Sequence, residues 1–240
     1  MLHAGLAATT IGKHRTAGYN RRRVKPATAE FIGTFAIVFA GTGAIMINDQ
    51  SNGVITHAGI SLIFGLIVTA VILPLRKISG AHFNPAVTFA FWTQRKCSTQ
   101  TALQYTLSQL CGATTASLTL KMLFPLHQTL GATLPHGSLA QTFMLEAALA
   151  FLLMFVIITS AASGDTLYVA VAVGAVVGLG AMFAGPITGA SMNPARSLAP
   201  AVASGQVQSL WIYLTAPLLG AWLGSLAAAA LTVEKKSSNT

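Results

Sequence analysis

The chain has 240 residues, of which 53% are hydrophobic and only 8% charged, against roughly 25% charged in soluble domains. That balance excludes a soluble globular domain and points to a polypeptide solvated by lipid. The net charge of +9 would suit nucleic acid or an acidic partner only if the basic residues were gathered on one folded face, and their distribution along the chain gives them another explanation.

Residues 1–26 contain no Asp or Glu and lack the long apolar run of a secretory signal. Their composition is compatible with a transit peptide, and they are read as a basic, disordered cytoplasmic extension. Apolar stretches of the length needed to cross a bilayer, about 20 residues, follow at 27–47, 54–75, 99–120, 140–160, 167–184 and 210–232. Six crossings place both termini on one side. Lys13, Arg15, Arg21, Arg22, Arg23 and Lys25 precede the first span, Arg76, Lys77, Arg95 and Lys96 flank the second connection, and Lys235 and Lys236 lie in the tail, 233–240. Gathered on one side, these residues follow the positive-inside pattern and predict cytoplasmic termini in a plasma or inner membrane. Cys97 and Cys111 form neither a disulfide framework nor a metal site.

The sequence repeats itself. Ile78-Ser79-Gly80-Ala81-His82-Phe83-Asn84-Pro85-Ala86-Val87 returns as Ile187-Thr188-Gly189-Ala190-Ser191-Met192-Asn193-Pro194-Ala195-Arg196, 109 residues later. Glu30 and Glu146 stand early in the first span of each half. With three crossings per half, about 27–120 and 140–232, the second half runs through the membrane inverted relative to the first.

Each box spells a helix start. Asn is a preferred N-cap, and Pro suits the first helical position because its missing N–H has no partner there. The apolar runs that follow, 86–92 and from 194 to about 203, are too short to span hydrocarbon and predict half-helices. Gly80 and Gly189 suit the irregular backbone before them, which membranes tolerate only where it lines a cavity or is buried in protein. Two half-helices meeting N-terminus to N-terminus each present roughly half a positive charge, a barrier to cations and hydronium. The amides of Asn84 and Asn193 can donate to a passing oxygen, and carbonyls of residues 78–82 and 187–191 can accept from a passing hydroxyl.

The paired Asn-Pro-Ala boxes (Asn84, Pro85, Ala86 and Asn193, Pro194, Ala195), the six spans and the inverted halves resemble the aquaporin and glycerol-facilitator family over residues 27–232. The resemblance implies an all-α integral membrane channel domain of six transmembrane helices plus two re-entrant half-helices, a homotetramer in the lipid bilayer, without cofactor or metal. It also implies a selectivity filter at Phe64, Ala181, Ala190 and Arg196. Water-selective members carry His where this chain has Ala181. Glycerol facilitators pair Arg with two aromatics and follow it with Asp, whereas this chain has one aromatic and Ser197. With Ser197, Ala201, Tyr213 and Leu214, the pattern is most similar to the nodulin-26-like branch and its bacterial relatives. The expected function is passive passage of water and small uncharged solutes, such as glycerol and neutral arsenous or boric acid, with protons and ions excluded. A water-selective channel is the alternative, and an alternating-access carrier a more distant one.

Arg196 is an expensive residue inside a membrane unless it faces a cavity or a partner. Glu30 and Glu146 are read as supports that accept hydrogen bonds from the re-entrant loops, and His82 as polar surface towards the cytoplasmic end, with gating by protonation as a further reading. Gly174, Gly178, Gly220 and Gly224, four apart in pairs, suit close helix packing. Catalytic motifs are absent, and with only five acidic residues an enzyme is not expected.

Overall fold

The computed structural model describes residues 25–237. The described residues form eight helices and no strand: α1 Pro26–Gln50, α2 Thr56–Ser79, α3 Pro85–Thr93, α4 Thr99–Leu123, α5 Leu139–Ala161, α6 Thr166–Thr188, α7 Pro194–Ser204 and α8 Leu210–Ser237. The two short helices begin at the two Asn-Pro boxes, and the six long ones fall on the six apolar stretches. The extension read at 1–26 lies, but for its last two residues, outside the described residues. The tail read at 233–240 instead continues α8 as far as Ser237.

Five of the long helices are both long and apolar enough to cross a membrane: α1, α2, α5, α6 and α8. The third expected span, α4, differs. It has 25 residues, enough for roughly 37 Å of helix, but it is rich in Thr, Gln and Ser and is not uniformly apolar. Part of that polarity is turned inward, with Tyr105, Gln109 and Ser117 buried, and the hydroxyls of Thr115 and Thr119 are spent on carbonyls of the same helix, those of Cys111 and Thr115. A helix whose polar groups face protein can cross lipid without a fully apolar sequence.

The halves pack as an inverted repeat should. α1 lies against α4, α5 lies against α8 in the same way, and α2 meets α6 across the middle. Small residues let the backbones approach. A Cβ on Gly112 of α4 would run into the Phe31 carbonyl of α1, and one on Gly220 of α8 into the Ala147 carbonyl of α5. Gly224 sits in the same way against the Phe151 carbonyl, and on the α2–α6 seam a Cβ on Gly65 would lie 2.7 Å from the Gly174 carbonyl and 3.1 Å from the Gly178 Cα. At one end of that seam Pro186 interrupts α6. Having no N–H, it cannot bond to the carbonyl of Met182, four residues back; that carbonyl is instead 2.9 Å from His57 Nε2 on α2.

Candidate functional site

Both boxes fold locally as their residues demand. Asn84 and Asn193 cap α3 and α7 in extended conformation, each side-chain oxygen accepting from the backbone two residues on: Ala86 N–H at 2.8 Å and Ala195 N–H at 3.0 Å. Pro85 and Pro194 occupy the first helical positions. The approach loops share one backbone pattern. Gly80 and Gly189 end α2 and α6 at φ 89° and 78°. Positive φ then recurs at Ala81 and Ala190 and at Phe83 and Met192, positions where side-chain-bearing residues are strained.

Such loops hold only if something else fixes them, and a carboxylate does so in each half. Glu30 Oε1 accepts from Ser79 Oγ at 2.6 Å and His82 N–H at 3.0 Å, and Oε2 from Phe83 N–H at 2.6 Å and Gln109 Nε2 at 2.8 Å. Glu146 accepts from Ser191 N–H and Met192 N–H, both at 2.9 Å. Both carboxylates are fully buried, which is tolerable because their lone pairs are used.

Sequence reasoning missed a matching pair of tyrosines. Tyr105 on α4 donates to the Ser79 carbonyl at 2.8 Å, and Tyr213 on α8 donates to the equivalent Thr188 carbonyl at 2.7 Å. Tyr213 stood out only as a subfamily marker; the 108-residue offset between the two tyrosines, close to the 109 of the boxes, was the available signal. The outer connection takes a further carbonyl, with His136 N–H bonded to Ile187 O at 2.9 Å. Three of the loop carbonyls are therefore bonded within the protein. Those of Ser79, Ile187 and Thr188 are taken, while those of Ile78, Gly80, Ala81 and His82, and of Gly189, Ala190 and Ser191, have no protein partner among the described residues.

The Asn amides also differ from expectation. Asn84 Nδ2 donates to Met192 O at 2.8 Å and Asn193 Nδ2 to Phe83 O at 3.0 Å, so one of each amide's two N–H groups joins the halves and one remains. Both side chains border a cavity of about 440 Å³. It reaches from Arg76 and Thr166, at one end of α2 and α6, past His82 to Phe64 and Arg196. Along α2 that is twelve residues, roughly 18 Å.

The four expected filter residues, Phe64, Ala181, Ala190 and Arg196, all line this cavity. The Arg196 guanidinium lies over the Phe64 ring at 5.1 Å, within cation–π range. Its Nη1 donates to Gly131 O at 2.9 Å. Its Nε–H is buried and has no protein partner among the described residues. His82 stacks on Phe91 with ring centroids 4.7 Å apart and lies with Nδ1 3.1 Å from Thr88 Oγ1. Among the described residues no group of three or more His, Cys, Asp or Glu is placed to hold a metal ion.

An internal cavity lined by the caps of two opposed half-helices, by further polar groups and by apolar side chains, within a bundle of membrane-length helices, is the architecture of a membrane channel. The chain matches the family model described as Major intrinsic protein over residues 19–228. It is 44% identical over 202 residues to Aquaporin NIP1-1 of Oryza sativa subsp. japonica, covering 83% of this chain and 71% of that protein. It is 40% identical over 200 residues to Nodulin-26 of Glycine max, covering 82% and 74%. Its fold is similar to the X-ray structure of the aquaglyceroporin from Plasmodium falciparum, with a TM-score of 0.76 and 26% identity over 84% of this chain and 93% of that one. The chain belongs to the major intrinsic protein family, the aquaporin channels, and is not an enzyme.

Proposed function

We propose that this channel passes water together with small uncharged solutes, glycerol and neutral metalloid acids such as arsenous or boric acid, and excludes protons and ions. The observation that supports this reading is that the cavity is lined by Phe64 with Arg196 over its ring and by two methyl-sized residues, Ala181 and Ala190. Small side chains there leave room that a bulky residue would fill, and pore diameter with its lining donors decides what enters. A hydroxylic solute finds an apolar wall for its carbon face, the Arg196 and Asn amide N–H groups as donors, and the loop carbonyls as acceptors.

Ion exclusion rests on the same parts. α3 and α7 direct their positive ends at the passage where the two boxes meet, and Arg196 adds a full charge beyond them. A cation would shed water against like charge, whereas a neutral solute would not. We assign the filter to Phe64, Ala181, Ala190 and Arg196, and loop support to Glu30 and Glu146. We further place the protein in the plasma or inner membrane as a homotetramer with cytoplasmic termini, in line with the basic residues at Arg76, Lys77, Arg95 and Lys96.

The test is stopped-flow light scattering on proteoliposomes. Osmotic shrinkage reports water, and re-swelling in glycerol or arsenous acid reports solute. Both are expected above the rate of empty liposomes and unsaturated with concentration. Water flux without re-swelling would make the protein a water-selective channel, and saturable flux that needs an ion gradient would make it a carrier.

A further inference from the structure

The two halves secure their boxes alike up to one link. In the first, the hydroxyl of Thr88 lies 3.1 Å from His82 Nδ1 and accepts from Gln109 Nε2 at 2.9 Å. In the second, 109 residues on, the hydroxyl of Ser197 is 2.5 Å from that of Ser191 and accepts from Thr133 Oγ1 at 2.7 Å. The outermost donor is thus a residue of transmembrane helix α4 in one half. In the other it is a residue of the 124–138 connection between α4 and α5.

Counting protons gives this chain a direction. Ser191 has one hydroxyl proton and donates it to the Asn193 carbonyl at 3.0 Å. In its contact with Ser197, therefore, Ser191 accepts and Ser197 donates. Ser197 in turn accepts from Thr133. The sequence Thr133 to Ser197 to Ser191 to Asn193 carbonyl uses every hydroxyl proton once. All three hydroxyl residues are buried, so water does not readily replace a missing link.

The same connection also aims Arg196, through the Gly131 carbonyl. Gly131, at φ 68°, is seated so closely on α1 that a Cβ would lie 2.8 Å from Thr42 Cβ. Two bonds from residues two apart on the connection, Gly131 and Thr133, therefore meet two consecutive residues of α7, Arg196 and Ser197. Thr133 is not among the residues that line the cavity, so its influence on the passage is indirect.

We propose that Thr133 is a positioning residue for solute selection: by heading the hydroxyl chain it holds the connection against α7, and so holds the Gly131 carbonyl that keeps the Arg196 guanidinium against the cavity wall. This rests on the assignment of Arg196 to the filter proposed above. Without the Thr133 hydroxyl, Ser197 loses its donor, the connection loosens, the guanidinium loses its fixed acceptor, and the passage admits larger solutes.

The experiment compares the parent with Thr133→Val, Thr133→Ser and Ser197→Ala in proteoliposomes, measuring water, glycerol and erythritol permeability normalised to incorporated protein. Hydrogen–deuterium exchange is followed over 124–138. Thr133→Val and Ser197→Ala are expected to raise the ratio of solute to water permeability about fivefold, the factor matching loss of one ordinary hydrogen bond, and to speed exchange in the connection. Thr133→Ser, which keeps the hydroxyl, should stay at the parent ratio. A ratio that does not rise, water and solute fluxes lost in proportion, or Thr133→Ser behaving like Thr133→Val overturns the inference. Should Thr133→Val fail to reconstitute, Ser197→Ala removes the middle link and decides the question. A parent that passes water but no glycerol sinks the proposed solute range instead, and the inference then stands or falls on whether Thr133→Val, unlike Thr133→Ser, gains glycerol entry.

Discussion

Asn84 and Asn193 each bond to the carbonyl that precedes the other: Asn84 Nδ2 to Met192 O at 2.8 Å, and Asn193 Nδ2 to Phe83 O at 3.0 Å. The caps of two helices that enter from opposite membrane faces are thereby one unit. Each amide is spent three ways, its oxygen on the cap, one N–H on the other half, and one N–H left for the passage. The point of greatest electrostatic consequence is also where the inverted halves are joined.

Replacing either amide by a carboxylate separates these roles, because Asp remains a good N-cap. Asn84→Asp and Asn193→Asp set an anionic oxygen against a carbonyl and place a negative charge where two helix starts converge. The expected cost is about 1–3 kcal/mol of stability, with measurable proton entry into vesicles carrying a pH-sensitive dye. Parent-like unfolding together with a proton-tight vesicle would contradict both the joint and the barrier.

Glu30 takes four hydrogen bonds, two from the re-entrant backbone and two from the side chains of Ser79 and Gln109, and Glu146 takes two from the re-entrant backbone. Glu30→Gln turns one oxygen into a donor that must face two other donors, so it should destabilise by about 2 kcal/mol or more. Glu146→Gln should cost less. Unfolding temperatures in detergent, followed by fluorescence, give the order; equal or reversed effects would mean that the bonds do not carry the load assigned to them.

Ala181→His should fill part of the cavity that the Ala181 methyl leaves open. Glycerol permeability is expected to fall about tenfold, equivalent to ~1.4 kcal/mol of added barrier, while water flux persists. Stopped-flow measurements on water and glycerol decide it, and glycerol flux that survives unchanged would remove Ala181 from the proposed filter.

Gly112 and Gly220 occupy matching places, against the carbonyls of Phe31 and Ala147 in the α1–α4 and α5–α8 pairs. A methyl group at either forces two backbones apart, so Gly112→Ala and Gly220→Ala should each destabilise by about 1–3 kcal/mol. Gly43→Ala is the control, since its added methyl meets only the end of the Leu120 side chain, at 3.3 Å, and should be nearly neutral. Thermal unfolding of the three variants checks the contrast.

Local rules reached far in this chain. Asn followed by Pro is a helix start wherever it lies, and two such starts 109 residues apart placed α3 and α7 to within a residue or two. Glu30 and Glu146 were legible as loop supports because an isolated carboxylate in an apolar span needs donors nearby. Phe64, Ala181, Ala190 and Arg196 were proposed through the family pattern, since neither an apolar aromatic nor an alanine announces a pore by itself.

The sequence by itself determined the lipid-solvated class, the inverted duplication, the two half-helices and the groups that cap them, because each depends on composition or on residues close along the chain. Only the tertiary structure decided how those pieces are held. The positive φ values at Ala81, Phe83, Ala190 and Met192 run against the preference of their side chains and persist because Glu30, Glu146, Tyr105 and Tyr213 bind the same loops from other helices. The 124–138 connection carries no periodic pattern that would mark Gly131 or Thr133, yet these two residues meet Arg196 and Ser197. Hydrogen bonds between residues more than sixty apart leave no local trace in a sequence; they exist only once packing has brought donor and acceptor within about 3 Å.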